Sequence, residues 1–178
     1  MHYKFIDLPN LDLIAQRILK HVPEDYKKKN IYKSLPIEIF TACTPLVEAV
    51  ETIKPWSDLE YIAMIVALPD IKMPIHTDLG LTLVENKYAL NIPIYNCEKP
   101  YTAFFRAKDH ISGVEQTHAA IETPGSNYLH YNETDVVEIG RMHLYKAAFF
   151  NTQVPHTVIN TTDDLRIIIS IRSKTSFI

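Results

Sequence analysis

The order of apolar and polar residues divides the chain into a helical N-terminal part and a β-rich remainder. Residues 9–23, PNLDLIAQRILKHVP, place apolar side chains at helical spacing, and Pro23 ends the predicted helix. A second helix is predicted to begin at Thr44, an N-cap type of residue, with Pro45 at the first helical position. Residues 35–43, LPIEIFTAC, predict a short strand. We expect the helices to cover one face of a sheet.

From residue 61 onward the chain consists of short apolar runs separated by turn residues. Strands at this spacing, with no helical pattern between them, indicate a sandwich, a barrel or a jelly roll. The unbroken apolar character of 61–68 and 167–171 indicates strands that are covered on both faces. The polar residues 107–134 predict a long loop between strands. The predicted strands lie at 61–69, 87–96, 101–107, 135–145, 146–160 and 165–173.

The length and charge of the chain narrow the class of protein. A chain of 178 residues can bury a substantial core, so we expect one domain over 1–178, with 1–60 supporting a β core at 61–173. The net charge of −3, without a basic block beyond KKK at 27–29, does not indicate a nucleic-acid or anionic-membrane surface. Oligomeric state does not follow from the sequence.

The N-terminus and the two cysteines predict a cytoplasmic location. The first residues, MHYKFIDLPN, lack an apolar signal core, and no apolar run approaches the roughly 20 residues of a membrane span. Cys43 and Cys97 have no metal-type spacing, which favours buried free thiols in a reducing compartment.

The candidate chemistry begins with His76 and Asp78 in KMPIHTDLG, directly after an apolar run. Residues two apart on a strand point to one side of the sheet, so the pair can present an imidazole and a carboxylate to a divalent metal. A second histidine is the usual third ligand of non-haem Fe(II) sites with open positions. His156, in the apolar run VPHTVIN, is the best candidate. His143 is a weaker one, because no paired carboxylate accompanies it.

Arg166, ten residues after His156, opens the apolar run LRIIISI and needs an anionic partner if it is buried. A hairpin of 156–160 with 165–170 around an odd-numbered loop would place Arg166 on the face of His156, about 7 Å along the strand. A short dicarboxylic acid that chelates the metal could then reach Arg166 with its other end. Ser170 would share that face.

The ordered set His76-x-Asp78, His156 and Arg166 resembles the Fe(II)/2-oxoglutarate-dependent oxygenases, over roughly 61–173. The run FFNTQVPHTVINTTDDLRIIISI is similar to the C-terminal core of prolyl hydroxylases and aspartyl/asparaginyl β-hydroxylases, and Asp78 brings the chain nearer to the prolyl-hydroxylase pattern. The family's Arg-x-Ser variant is not matched, since Ile168 stands there. The brevity of the chain resembles small phage and bacterial members.

This resemblance implies a mainly β fold, a double-stranded β-helix or cupin-like jelly roll with the N-terminal helices outside one sheet. It implies Fe(II) held by His76, Asp78 and His156, with 2-oxoglutarate and O2 as cosubstrates. The reaction would couple decarboxylation of 2-oxoglutarate to hydroxylation of a protein or peptide side chain, or of a free amino acid or small metabolite. The residues expected to contact 2-oxoglutarate are Arg166, Ser170 and Asn91, with Tyr88 and Thr102 ranked behind Asn91.

Other readings of the same residues stay open. A cupin-type metalloprotein would use His156 and Asn160 as its His-x3-Asn ending, but the chain lacks the preceding Pro-x-Gly and the His-x-His of the first cupin motif. A metal-free jelly-roll binding module is a third reading. Arg106, Tyr128 and His130 are candidates for substrate contact. For Tyr128, His110, His118 and His130, the simpler explanation is that they are solvated loop residues.

Overall fold

The computed structural model describes residues 2–28, 31–34, 39–40, 42–55, 59–81, 88–117, 126–173 and 175. The helices are α1 (Leu11–Leu19) and α2 (Thr44–Glu51), with 3₁₀ turns at Glu24–Lys28 and Glu133–Asp135. The strands are β1 (Tyr3–Ile6), β2 (Ile31–Ser34), β3 (Leu59–Ala67), β4 (Ile71–Lys72), β5 (Ile75–Leu81), β6 (Tyr88–Tyr95), β7 (Tyr101–Ala107), β8 (Val114–Thr117), β9 (Ser126–Tyr131), β10 (Val136–His143), β11 (Ala147–Asn151), β12 (His156–Asn160) and β13 (Arg166–Ser173).

The strands form two antiparallel sheets that enclose a common interior. The first sheet has the order β1-β11-β6-β13-β3-β2, and the second has the order β10-β7-β12-β5-β9-β8, with β4 beside β12. The chain passes from one sheet to the other between β5, β6 and β7, and again between β10, β11, β12 and β13. This alternation is the jelly-roll, or double-stranded β-helix, architecture, and the predicted fold class is confirmed.

The two helices cover the outer face of the first sheet, as expected. Ile14 and Ile18, four residues apart on α1, are fully buried, as are Leu46 and Val50 on α2. They share one apolar cluster with Ile167, Ile169 and Ile171 of β13 and with Leu90 and Ile92 of β6. Strand β13 is therefore covered on both faces, which explains its unbroken apolar run. No helix in the described ranges is long and apolar enough to span a membrane.

The interior between the two sheets is partly aromatic. Ile168 of β13 packs there with Phe104 and Met142 of the second sheet and with Phe150 of β11. Burying one side chain of this size stabilises the folded state by about 1.5–3 kcal/mol. These contacts join the two sheets and so keep the interior polar residues of both sheets in place. Because side chains alternate along a strand, Arg166, Ser170 and Arg172 lie on the same interior face of β13 as Ile168.

The predicted hairpin between 156–160 and 165–170 is wrong. Strand β12 pairs with β4, β5 and β7 in the second sheet, whereas β13 pairs with β3 and β6 in the first. The turn at 161–165 carries the chain across the interior instead of folding it back. Asn160 holds this turn, because its side-chain amide donates to the carbonyl oxygens of Leu68 (2.9 Å) and Asp164 (2.8 Å).

The expectation of a long loop over 107–134 is also wrong for its two strands, β8 and β9. Strand β9 pairs with β5 and β8 pairs with β9, so this hairpin widens the second sheet. The predicted strand at 146–160 is two strands, β11 and β12, in different sheets. The predicted strand at 35–43 lies largely outside the described residues, and its residues 39–40 are helical.

Candidate metal centre

His76, Asp78 and His156 converge at one place in the interior. His76 and Asp78 lie on β5, and His156 is the first residue of the neighbouring β12, directly opposite His76. One ligand-type atom from each of the three side chains falls within 4.8 Å of the others. In the described ranges this is the one group of three or more His, Cys, Asp or Glu side chains close enough to hold a metal ion.

Hydrogen bonds to the backbone fix both imidazole rings. The Nδ1 atoms of His76 and His156 lie 2.9 Å from the carbonyl oxygens of Pro74 and Val154, so each Nδ1 carries the proton and donates it. Both Nε2 atoms then present a lone pair, as metal-binding histidines do. These Nε2 atoms lie 3.4 and 4.0 Å from the same Asp78 oxygen, Oδ1.

The two oxygens of Asp78 have different surroundings. Oδ2 forms an ion pair with Nη1 of Arg172 at a distance of 2.6 Å, and both side chains are buried. Oδ1 is buried without a hydrogen bond from the described residues. Burial by itself raises the pKa of Asp78, but Arg172 and the two histidines outweigh it and hold that pKa well below its usual range. The carboxylate is therefore ionised, with one oxygen free for a cation.

The backbone around Asp78 is tied to the turn between β11 and β12. The Asp78 N–H donates to the carbonyl oxygen of Thr152 at 3.1 Å. The side-chain amide of Gln153 donates to the carbonyl oxygen of Asp78 at 2.6 Å. Strand β5 continues into a register shift just after Asp78. The turn that leads into His156 thus also positions the carboxylate.

His156 sits in an aromatic environment. Its ring centroid is 5.1 Å from that of Phe150 and 6.4 Å from that of Phe104. Burial, reinforced by the neighbouring His76, lowers the pKa of His156 to about 4. The imidazole is consequently neutral at physiological pH, which is the form that binds metals.

Arg166 is a charged side chain of the interior, and it is 1% exposed. None of its three guanidinium nitrogens has an oxygen acceptor among the described residues. Burial lowers its pKa, and the nearby Cys97 opposes that effect. The Cys97 thiol has one proton to donate, and the carbonyl oxygens of Tyr95 and Ile167 lie 3.1 and 3.2 Å from its Sγ. A buried guanidinium without an acceptor destabilises the folded protein unless an anion binds beside it.

Three further polar atoms in the interior also lack a hydrogen-bond partner among the described residues: Ser170 Oγ, Asn91 Oδ1 and Thr102 Oγ1. Ser170 and Asn91 are directly opposite each other on β13 and β6. Thr102 is on β7 of the facing sheet, opposite Val158 and Met142. Arg166, Ser170 and Asn91 are thus buried on the interior face of the first sheet, and the lower-ranked Thr102 is buried on β7 of the facing sheet.

The substrate candidates Tyr128 and His130 lie on β9, beside the metal ligands. Tyr128 is directly opposite Asp78, and His130 is directly opposite His76. The Tyr128 ring meets the His76 ring edge-on, with centroids 5.1 Å apart. The third candidate, Arg106, is an exposed residue of β7, two positions beyond Phe104, which is itself opposite His156.

Two other candidate histidines within the described ranges, His143 and His110, lie outside the group of His76, Asp78 and His156. His143 is exposed, and its Nδ1 lies 3.0 Å from the carbonyl oxygen of Glu98, beside the Tyr101 ring. His110 is an exposed turn residue with a φ of 68°. His118 falls outside the described residues.

Arg172 is the residue of the site that sequence reasoning missed. It stands six residues after Arg166, so both side chains are on one face of a single strand. The sequence contains a signal for this residue: a second arginine on the interior face of an apolar strand predicts a second buried anion as its partner.

Fold and site together define a jelly-roll protein with an interior His-Asp-His group and a separate buried cation. No protein-family model matches the chain, and no curated protein matches it. Among solved structures, it is similar to the non-heme alpha ketoglutarate dependent carbocyclase SnoK from nogalamycin biosynthesis. That likeness covers 96% of this chain and 78% of that one, with a TM-score of 0.49 and 11% identity.

Two further solved structures are similar. A Pseudomonas putida prolyl-4-hydroxylase matches over 99% of this chain and 94% of its own, with a TM-score of 0.47 and 7% identity. EvdO2 from Micromonospora carbonacea var. aurantiaca matches over 78% of this chain and 61% of its own, with a TM-score of 0.30 and 13% identity. At these identities and TM-scores the likeness does not assign an activity to the chain.

Proposed function

We propose that this chain is an Fe(II)- and 2-oxoglutarate-dependent dioxygenase that hydroxylates a C–H bond. One observation carries the proposal: the guanidinium of Arg166 is buried without an oxygen acceptor among the described residues, in the same interior as a three-donor metal group. A diacid with one end on the metal and the other on Arg166 would supply the missing anion and fill the open metal positions.

The donor set fits a ferrous ion. Two imidazole Nε2 lone pairs and one carboxylate oxygen make the two-histidine, one-carboxylate facial set that suits non-haem Fe(II) and leaves positions open for other ligands. His76, Asp78 and His156 would hold the metal. The rings are already oriented by Pro74 and Val154, so little rearrangement is needed on binding.

Arg166 would bind the remote carboxylate of 2-oxoglutarate, with help from other polar side chains of the interior. Arg166 can donate to it through two parallel N–H groups, and Ser170 can add a hydroxyl donor. Asn91 and Thr102 offer further polar atoms without described partners. When bound, Fe(II), 2-oxoglutarate and O2 would supply the oxidising chemistry, in which 2-oxoglutarate is converted to succinate and CO2 while the substrate is hydroxylated.

The neighbouring side chains would orient the metal ligands, set their charge and exclude water from the metal group. Phe104 and Phe150 pack against His156 and keep that side of the centre dry. The low pKa of His156 keeps its Nε2 unprotonated and available as a ligand at neutral pH. Arg172 balances the charge of Asp78. None of these roles requires a general base.

The substrate would approach along the second sheet. Tyr128 and His130 of β9, beside the metal ligands, would form one side of the approach, and Arg106 of β7 would provide a cation on the other. We place a protein or peptide side chain ahead of a free amino acid or small metabolite as substrate, on the likeness of the C-terminal run to prolyl and aspartyl hydroxylases.

An anaerobic titration tests the proposal. Fe(II)-loaded protein titrated with 2-oxoglutarate should develop the weak visible charge-transfer band of a metal chelated by a 2-oxoacid, and Arg166→Ala should need more 2-oxoglutarate to reach it. Metal binding without that band would favour a cupin-type metalloprotein. Absence of metal binding would favour a metal-free module.

A further inference from the structure

The buried ion pair between Arg172 and Asp78 joins the two sheets at the metal group. Arg172 lies near the end of β13 in the first sheet, and Asp78 lies on β5 in the second. Nη1 of Arg172 is 2.6 Å from Oδ2 of Asp78, and both residues are more than nine-tenths buried. A buried pair of this kind is held in place more firmly than a surface ion pair, because neither charge can be left alone in the interior.

The ion pair gives the two carboxylate oxygens of Asp78 different partners. Oδ2 is engaged by Arg172, while Oδ1 faces the Nε2 atoms of His76 and His156 at 3.4 and 4.0 Å. A carboxylate without such a partner can bind a cation through one oxygen or through both. A bidentate carboxylate would occupy an additional metal position, which a diacid and O2 would otherwise use.

We infer that Arg172 is a positioning residue that restricts Asp78 to monodentate metal binding through Oδ1. The inference rests on the proposed metal site, and it does not depend on 2-oxoglutarate. Arg172 touches neither the metal nor the reacting atoms in this role. It acts by holding Oδ2 and by fixing the rotation of the carboxylate about its side-chain bond, so that the open face of the metal keeps its full number of positions.

The chain offers matched variants for a test. Arg172→Gln removes the charge and can leave Oδ2 free, and Arg172→Lys keeps the charge as a single point donor. Arg141→Gln is the control, because Arg141 also pairs with a carboxylate, Glu138, but does so on the exposed surface of β10. Removing an outer-shell partner of a metal ligand typically weakens metal binding by about 10- to 100-fold.

The experiment is a metal titration with Mn(II) and Zn(II) in the absence of 2-oxoglutarate, together with a crystal structure of the Zn-loaded wild-type chain and variants. We expect monodentate Asp78 with Oδ2 on Arg172 in the wild type. In Arg172→Gln we expect a rotated or bidentate carboxylate and a dissociation constant about 10- to 100-fold higher. Arg172→Lys should recover part of the loss, and Arg141→Gln should bind as the wild type does.

The outcomes separate this inference from the proposed function. If Zn(II) binds through His76, Asp78 and His156 but Arg172 has left Oδ2, the inference is wrong and the proposed metal site stands. The same holds if Arg172→Gln keeps both the affinity and the monodentate geometry. If the wild-type chain binds no metal at this group, the proposed function fails with it. Should Arg172→Gln not fold, the wild-type and Arg172→Lys structures decide the question.

Discussion

His76 and His156 are 80 residues apart in the chain, yet they are directly opposite each other on β5 and β12. Their Nε2 atoms converge on the same oxygen of Asp78. The antiparallel register of two strands, and not a local motif, therefore assembles the group. Any variant that removes one ring takes away one of its three donor atoms.

His156→Ala should weaken Mn(II) or Fe(II) binding by more than about 100-fold, since loss of an outer-shell partner alone costs roughly 10- to 100-fold. His143→Ala is the matched control, because His143 is an exposed strand histidine with the same kind of Nδ1 contact to a backbone oxygen. Isothermal titration of metal into apo-protein measures both. Retained binding in His156→Ala, or an equal loss in His143→Ala, would contradict the assigned ligand set.

Arg166→Gln should have opposite effects on cosubstrate binding and on stability. Affinity for 2-oxoglutarate should fall by roughly 10- to 150-fold, because a charge-assisted hydrogen bond contributes about 1.5–3 kcal/mol. The unfolding free energy of the cosubstrate-free protein should stay the same or rise, because the variant removes a buried charge that has no oxygen acceptor among the described residues.

Urea unfolding without 2-oxoglutarate and an anaerobic 2-oxoglutarate titration measure the two effects of Arg166→Gln. Metal affinity is the internal control and should change little. A loss of more than about 2 kcal/mol in stability would indicate that Arg166 is a structural residue, since that loss is typical of breaking a satisfied buried pair.

The sequence was sufficient to predict that His76, Asp78 and His156 lie together and that Arg166 is buried, for reasons that can be traced to individual strands. The two-residue spacing of His76 and Asp78 fixes their common side on any strand. Arg166 was placed in the interior by a hairpin that does not exist. The placement still agrees with the structure, because the alternation along β13 sets which face Arg166 shares with Ile168, whichever strands pair with it.

Pairings across the fold could not be predicted in the same way. Arg172 meets Asp78 only because β13 and β5 belong to facing sheets, and the sequence does not specify which residues oppose each other across an interior. The polar composition of 126–131, SNYLHY, concealed a strand, because its pairing with β5 is a tertiary feature that overrides weak local propensity. Tyr128 and His130 were therefore assigned to a loop.

Acidification should destabilise the metal-free protein between pH 6.5 and pH 4. The folded-state pKa of His156 is lowered from 6.5 to about 4, so in that window the unfolded chain binds a proton that the folded chain does not. Stability then falls as pH falls, by up to about 3 kcal/mol from this residue. The lowered pKa of Asp78 adds a second loss that begins only below its ordinary pKa of 3.8.

Chelator-treated protein unfolded in urea at intervals between pH 7 and pH 4.5 measures this dependence. His156→Gln supplies the comparison, because glutamine does not titrate, and its stability should fall less steeply over the same interval. Parallel pH profiles for the wild type and His156→Gln would show that the imidazole of His156 is accessible to protons in the folded state.

Asn160→Ala should lower stability and leave metal binding intact. The Asn160 side chain donates to the carbonyl oxygens of Leu68 and Asp164 and accepts from the Thr162 hydroxyl at 2.7 Å. Removing it takes away three hydrogen bonds in a partly buried turn, each of which contributes about 0.5–1.5 kcal/mol. We therefore expect a loss of roughly 2–4 kcal/mol in unfolding free energy, measured by urea denaturation.

The metal affinity of Asn160→Ala distinguishes the proposed dioxygenase from the cupin-type metalloprotein. In a cupin-type reading, the His-x3-Asn ending would make Asn160 part of the functional motif. In the structure its amide is occupied by the turn that carries the chain from β12 to β13. Mn(II) affinity measured well below the unfolding transition should thus match the wild type within about twofold, a difference of less than roughly 0.5 kcal/mol. A tenfold weaker affinity would favour the cupin-type reading, because the turn and the metal group lie at opposite ends of β12.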